Sequence, residues 1–195
     1  MFYRIIPFLL LITLAVPGWS TDISGTVTVR GARDNRDAVI YIDRIPGKFF
    51  PPPAQSVVLD QRNLTFVPHV LPVLAGTRVA FPNSDEIRHN VFSPTPSSRF
   101  TLGTYASGVS KYQVFDKPGP VTLLCNVHAE MSAYVIVVET PYFATTDRDG
   151  KFSLRNVPAG RYVLRAWHER SKPGSKEIEV PESGMIDAGL FDLKR

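Results

Sequence analysis

Val121-Thr122-Leu123-Leu124-Cys125-Asn126-Val127-His128-Ala129-Glu130-Met131-Ser132-Ala133-Tyr134-Val135-Ile136-Val137-Val138 is the stretch on which the reading of this chain turns. It holds two apolar runs, 121–124 and 133–138. Both are short and rich in β-branched residues, and each predicts a strand. The loop between them carries a thiol, an imidazole and a thioether. With a period of two, Val121, Leu123 and Cys125 share one strand face, so the thiol continues the core face and His128 lies at the loop tip, nearer the surface. Cys125 is the only cysteine of the chain. A second imidazole, His89, lies upstream in Ser84-Asp85-Glu86-Ile87-Arg88-His89-Asn90-Val91-Phe92. There a polar loop, 82–88, delivers it and Asn90-Val91-Phe92 continues as a strand.

Two His, one Cys and one Met form the ligand set of a mononuclear electron-transfer copper site, with Cys and both His in a trigonal plane and a long axial Met. The metal must pass between Cu(I) and Cu(II) with little rearrangement. Soft sulfur favours the first state and imidazole suits both. Cys125 ends one strand, His128 is reached as the loop turns, and Met131 returns just before the next strand starts.

The motif resembles the small blue-copper proteins, the cupredoxins, and its Cys-x2-His-x2-Met spacing is similar to that of amicyanin within that family. The resemblance covers roughly Leu64 to Val138. It implies a Greek-key β-sandwich holding one type 1 copper ion, with His89, Cys125, His128 and Met131 as ligands. It also implies that Asn90, next to the first ligand, ties the two ligand loops together by hydrogen bonds. The expected activity is single-electron transfer with no catalysis, toward a redox partner protein, a dehydrogenase or a cytochrome, whose identity the spacing does not carry.

Composition agrees with an all-β chain. The 195 residues are 44% hydrophobic and 11% aromatic, with 17 Pro and 13 Gly among many short alternating runs. One cysteine excludes an internal disulfide framework, and ligation accounts for it better than an exposed thiol in an oxidising compartment. The formal charge of +4, without a dense Lys/Arg run, argues against a nucleic-acid partner. Residues 1–20 read as a secretory signal peptide. Arg4 supplies the positive region, Ile5 to Val16 the apolar core, and Gly18 and Ser20 the small residues before a cut after Ser20. The apolar stretch is shorter than the roughly 20 residues that span a bilayer, which favours cleavage over a retained anchor. The expected location is periplasmic or secreted, with no membrane span after cleavage.

The copper domain is expected over 21–140. Within it, Ile23 to Val29 and Ala38 to Ile42 read as strands around a polar turn, and 48–53, with three consecutive Pro, as a loop. Strands are expected at 56–59 and 64–67 around a turn at 60–63, then at 70–74 and 77–81. Residues 93–108 read as a long, mostly irregular connection. In 110–115, Tyr112 and Val114 are expected inward, Lys111 and Gln113 outward. His69, beside Pro68 and without a ligand partner in sequence, reads as a structural or surface residue, and His168 as structural.

After Val138 the pattern Asp147-Arg148-Asp149-Gly150-Lys151-Phe152-Ser153-Leu154-Arg155-Asn156-Val157-Pro158-Ala159-Gly160-Arg161-Tyr162-Val163-Leu164 resembles the carboxypeptidase regulatory-like (transthyretin-like) β-sandwich, over about Tyr142 to Val180. That implies a fold and no catalysis, and makes 141–195 a small second β domain. It is short for an independent sandwich, and the Gly-Thr-Val run near the N-terminus suits the same fold, which leaves strand sharing with 21–45 open. Two other functions use the same residues. One is copper storage or delivery, which the scarcity of Met and His disfavours. The other is a non-catalytic binding module with a structural metal site, where zinc could take a Cys/His2 set but accepts a thioether poorly. No Ser/His/Asp order points to an enzyme.

Overall fold

The run from Ala133 to Val138 is buried on both of its faces, and the architecture follows from what covers each. A computed structural model describes residues 20–195, so the signal-peptide expectation falls, but for Ser20, outside the described residues. In chain order the strands are β1 (Ser20–Val29), β2 (Val39–Ile42), β3 (Val57–Val58), β4 (Asp60–Arg62), β5 (Thr65–Val67), β6 (Val70–Leu74), β7 (Thr77–Pro82), β8 (His89–Ser93), β9 (Phe100–Tyr105), β10 (Ser110–Phe115), β11 (Gly119–Leu124), β12 (Ser132–Val138), β13 (Phe143–Thr145), β14 (Lys151–Pro158), β15 (Gly160–Trp167), β16 (Gly174–Val180) and β17 (Gly184–Leu193). The fold is all-β. Pro96–Ser98 forms a 3-10 turn, and no helix among the described residues is long and apolar enough to cross a membrane.

A five-stranded sheet, β6-β12-β11-β8-β9, faces a three-stranded one, β10-β7-β3. Val121, Leu123, Ala133 and Val135 from the first meet Val79, Phe81 and Phe115 from the second in one buried core, which also contains Cys125 and Met131. Alternate residues of β12, Tyr134, Ile136 and Val138, point the other way. They meet Val39, Tyr41, Phe143 and Trp167, and the Tyr134 and Trp167 rings stand 5.2 Å apart. Burial on both faces is why the run shows no polar alternation.

A second sandwich packs there. Its sheets are β14-β1-β17 and β13-β2-β15-β16, so the first two strands of the chain lie among the last five. β1 is central, antiparallel to β14 and parallel to β17. Ile23 and Val27 meet Leu154, Phe191, Ile40 and Leu164 in a separate core. Phe152 and Leu154 share its buried face, as do Tyr162, Leu164 and Ala166, in the alternation expected from the sequence.

Three local expectations are corrected. Tyr112 and Val114 are each 47% exposed, so the faces of β10 are the reverse of those expected. The buried anchor is Phe115, and the register Lys111↔Phe81 and Gln113↔Val79 puts the odd positions inward. Lys111 lays its apolar stem inward, donating to the Leu102 carbonyl and reaching over the Tyr105 ring, while outside the Arg78 guanidinium sits 3.9 Å from the Tyr112 ring centroid. Residues 60–62 form a strand, with the turn moved to Asn63 and Leu64, both at positive φ. The connection 93–108 contains β9, which zips onto β8 from His89↔Tyr105 to Ser93↔Phe100.

Ile23 is fully buried between the two sheets of the second sandwich. Ile23→Ala should therefore destabilise the protein by about 2–5 kcal/mol in a denaturant titration. A loss below about 1 kcal/mol would mean that β1 is not integral to that core.

Candidate metal centre

β11 carries its core-facing residues Val121 and Leu123 to the end of the sandwich and delivers Cys125 there, 5% exposed. The loop then closes on itself. The Met131 N–H donates to the His128 carbonyl at 3.1 Å, and the Cys125 N–H to the Met131 carbonyl at 3.2 Å. Met131 is thereby drawn back into the core, 1% exposed, while Asn126, Val127, Ala129 and Glu130 remain in solvent and His128 is half-buried. His89, the first residue of β8, is fully buried. One donor atom of each of His89, Cys125 and His128 falls within a group whose members all lie within 4.8 Å of one another. Three of the four residues expected as ligands thus converge through their donor atoms, and the fourth, Met131, is packed into the same core as the thiol.

The loop carrying Cys125 is tied to the strand carrying His89, because the Asn126 N–H donates to Asn90 Oδ1 at 2.8 Å. Asn90 is 2% exposed and does what the resemblance implied for it.

Asp85 escaped the sequence reading, which saw only a polar loop. Its carboxylate accepts from His89 Nε2 at 2.8 Å and from the Leu64 N–H at 3.0 Å, and also from the Asn63 N–H. Burial pushes the Asp85 pKa up, but the backbone donors of Leu64 and Asn63, together with His89, outweigh it and hold it below the ordinary carboxylate value. The spacing of four residues to His89 was the available signal, and it is a weak one. Asn83 shapes the loop between them. Its Nδ2 donates to the carbonyls of Ile87 (2.8 Å) and Tyr105 (3.3 Å), and its Oδ1 accepts from the Asp85 N–H (3.1 Å). Beneath this, Tyr105 donates to the Phe81 carbonyl at 3.0 Å and accepts from Gln61 Nε2. Burial pushes the Tyr105 hydroxyl up to about 12.

These bonds fix a tautomer. With its N–H on Nε2 and given to Asp85, His89 presents a lone pair at Nδ1. That atom lies 3.1 Å from His128 Nδ1, with ring centroids 4.9 Å apart and planes at 67°. Either His128 carries its N–H on Nδ1 and donates to His89, or two lone pairs beside a buried thiol call for a cation among them. Two imidazole nitrogens bound to one ion at about 2.0–2.1 Å and separated by this distance subtend about 100°, near tetrahedral. The donor set therefore fits a metal ion that takes two imidazoles and a thiolate. His69 and His168 are not in the cluster. His69 Nδ1 meets the Ser132 carbonyl at 3.1 Å, and His168 Nδ1 accepts from the Arg170 N–H at 3.1 Å.

No family model matches the chain, and no curated protein matches it. Solved structures are similar to part of this chain. A Cu-containing nitrite reductase (NirK) from Thermus scotoductus SA-01 is 24% identical over 51% of this chain, with a TM-score of 0.42, and the match takes in 25% of the reductase chain. Amicyanin, as a mutant in its reduced Cu(I) form at pH 4, is 19% identical over 52% of this chain and 98% of its own, with a TM-score of 0.41. A purple cupredoxin from Nitrosopumilus maritimus is 20% identical over 42% of this chain and 99% of its own, with a TM-score of 0.39.

Outer hydrogen-bond partners of a metal-binding His are worth about 10–100-fold in metal affinity. Asp85→Ala should weaken binding by that factor in a competition titration against a chelator while leaving the fold intact by circular dichroism. Unchanged affinity would show that Asp85 does not set the His89 ring.

Proposed function

We propose that this chain binds one copper ion through His89, Cys125, His128 and Met131 as a type 1 centre, and carries single electrons between redox partners. The observation that supports this best is the convergence of two imidazole nitrogens and a buried thiol at one end of a rigid sandwich. The ion would supply a one-electron couple, and the chain's own residues set its terms. Cys125 and Met131 offer soft sulfur and favour the reduced state. Asp85 and Asn90 hold the ligand rings and loops in place, so that little reorganises when the charge changes. The apolar residues packed around Cys125, among them Leu123 and Ala133, keep water from the thiolate and raise the potential.

His128 is the ligand nearest the surface, and its loop exposes Val127 and Ala129, with Val127 at 48%. In this reading the outer edge of His128 is where the electron passes, across a small contact of the kind that transient redox encounters use. The partner is a dehydrogenase or a cytochrome. The location is the periplasm or the cell exterior, reached through the signal sequence at residues 1–20. The second sandwich, with its transthyretin-like sequence pattern, supports the copper module and takes no part in catalysis.

The test is a titration of the protein with Cu(II), followed by visible absorption. An intense thiolate-to-copper band is expected, abolished by Cys125→Ser and shifted, together with the reduction potential, by Met131→Gln. Absence of the band, with Zn(II) or Cu(I) bound instead, would overturn the electron-carrier reading. An unchanged spectrum and potential in Met131→Gln would remove Met131 from the ligand set.

A further inference from the structure

At one end of the second sandwich three loops enclose an open cleft of about 490 Å³. They are the loop between β1 and β2, the turn between β13 and β14, and the turn after β15. Arg33 and Arg36 come from the first, Arg148 from the second, and His168 and Arg170 from the third, beside the carboxylates Asp34, Asp37 and Glu169. This cleft is separate from the metal cluster, and nothing about it depends on a metal.

Its walls are fixed. The Asn35 side chain accepts from the Val29 N–H at 2.9 Å, and the Asn35 N–H reaches the Arg148 carbonyl at 3.3 Å. Thr146 Oγ1 donates to the Asn35 carbonyl and accepts from the Ala38 N–H at 3.0 Å. Gly150 lies at φ +82°, and a Cβ there would stand 2.0 Å from the Val27 carbonyl oxygen, so this turn admits only glycine. Loops tied in this way hold the backbone that carries these side chains, so little of it remains to be ordered on binding.

The charges are unevenly satisfied. Arg36 is paired with Asp34 at 2.8 Å, and Arg170 is loosely paired with Glu169 at 3.9 Å. Arg33 and Arg148, from different loops, have no carboxylate partner within ion-pair distance among the described residues. His168 is 5% exposed, and its Nδ1 accepts from the Arg170 backbone. Its proton is therefore on Nε2, and burial lowers its pKa, which keeps the ring a neutral donor. Guanidinium forks match the paired oxygens of a carboxylate or phosphate group.

We propose that this cleft is a binding site for a small oxyanion, a carboxylate or phosphate group held between Arg33 and Arg148. Tied loops, two guanidinium groups outside any ion pair among the described residues and a buried imidazole donor suit such a ligand.

The test is calorimetric titration of the purified full chain at low ionic strength, with citrate and with inorganic phosphate as separate probes. Saturable one-to-one binding of at least one probe is expected, and which of the two binds assigns the ligand to carboxylates or to phosphates. The double variant Arg33→Gln/Arg148→Gln should weaken it at least tenfold. Both positions are exposed, so the fold should survive, as circular dichroism would show. Arg161→Gln, elsewhere on the same sandwich, should leave the affinity within twofold. No saturable binding of either probe would overturn the proposal, as would an equal loss in Arg161→Gln.

Discussion

The hydrogen bond from His89 Nε2 to Asp85 is the interaction on which the metal end depends. A fully buried imidazole must satisfy two nitrogens, and an unmet one costs about 1–3 kcal/mol. Asp85 takes the N–H, and the carboxylate itself is anchored by backbone N–H groups from the hairpin of β4 and β5. The remaining lone pair at Nδ1 then has only His128 and Cys125 to face. The ring is thus oriented by groups that belong to a different loop from the one bearing the thiol. The two loops are locked to each other separately, by Asn126 on Asn90. The positions of His89 and of the Cys125 loop are set by hydrogen bonds within the chain itself.

The same end of the molecule explains why a second sandwich is needed. β12 leaves the metal loop with apolar residues on both faces, and one face would be left in water by the first sandwich alone. Tyr134, Ile136 and Val138 are covered by β2, β13 and β15. The covering sheet is assembled from both ends of the chain. Val39 lies opposite Trp167, and in the companion sheet Thr21 lies opposite Gly184. The C-terminal strands supply only part of each sheet, and β1 and β2 fill the places between them. That arrangement makes the second core dependent on pairings across more than 100 residues, which fold slowly relative to local hairpins.

Sequence alone made part of this legible. The placement of Cys125 could be read because it continues the alternation of Val121 and Leu123, so its face was fixed by a period of two. The turn at Asp149 and Gly150 could be read because an Asp-Gly pair between alternating runs is a local turn signal. What escaped was set by partners distant in sequence. Asp85 acquires its role from backbone donors at 63 and 64, which no local pattern announces. The faces of β10 were misread because Tyr112 and Val114 are apolar in composition. The face is decided by Phe115 and by register against Phe81, and an edge strand tolerates an aromatic outside when a neighbouring arginine stacks on it.

His69 touches both sandwiches. Its Nδ1 is held by the Ser132 carbonyl, one residue past Met131, and its Nε2 faces Glu169 at 3.4 Å. It lies outside the cluster of His89, Cys125 and His128. Glu169 stands on the rim of the arginine-lined cleft and also meets Tyr134, whose ring packs edge-on to His69. The first residue of the strand leaving the metal loop and a wall of the cleft are therefore fastened to one imidazole. A sandwich that only covered β12 would need apolar area there. The polar clasp adds a fixed alignment between the two modules, so the metal end and the cleft are held in one frame.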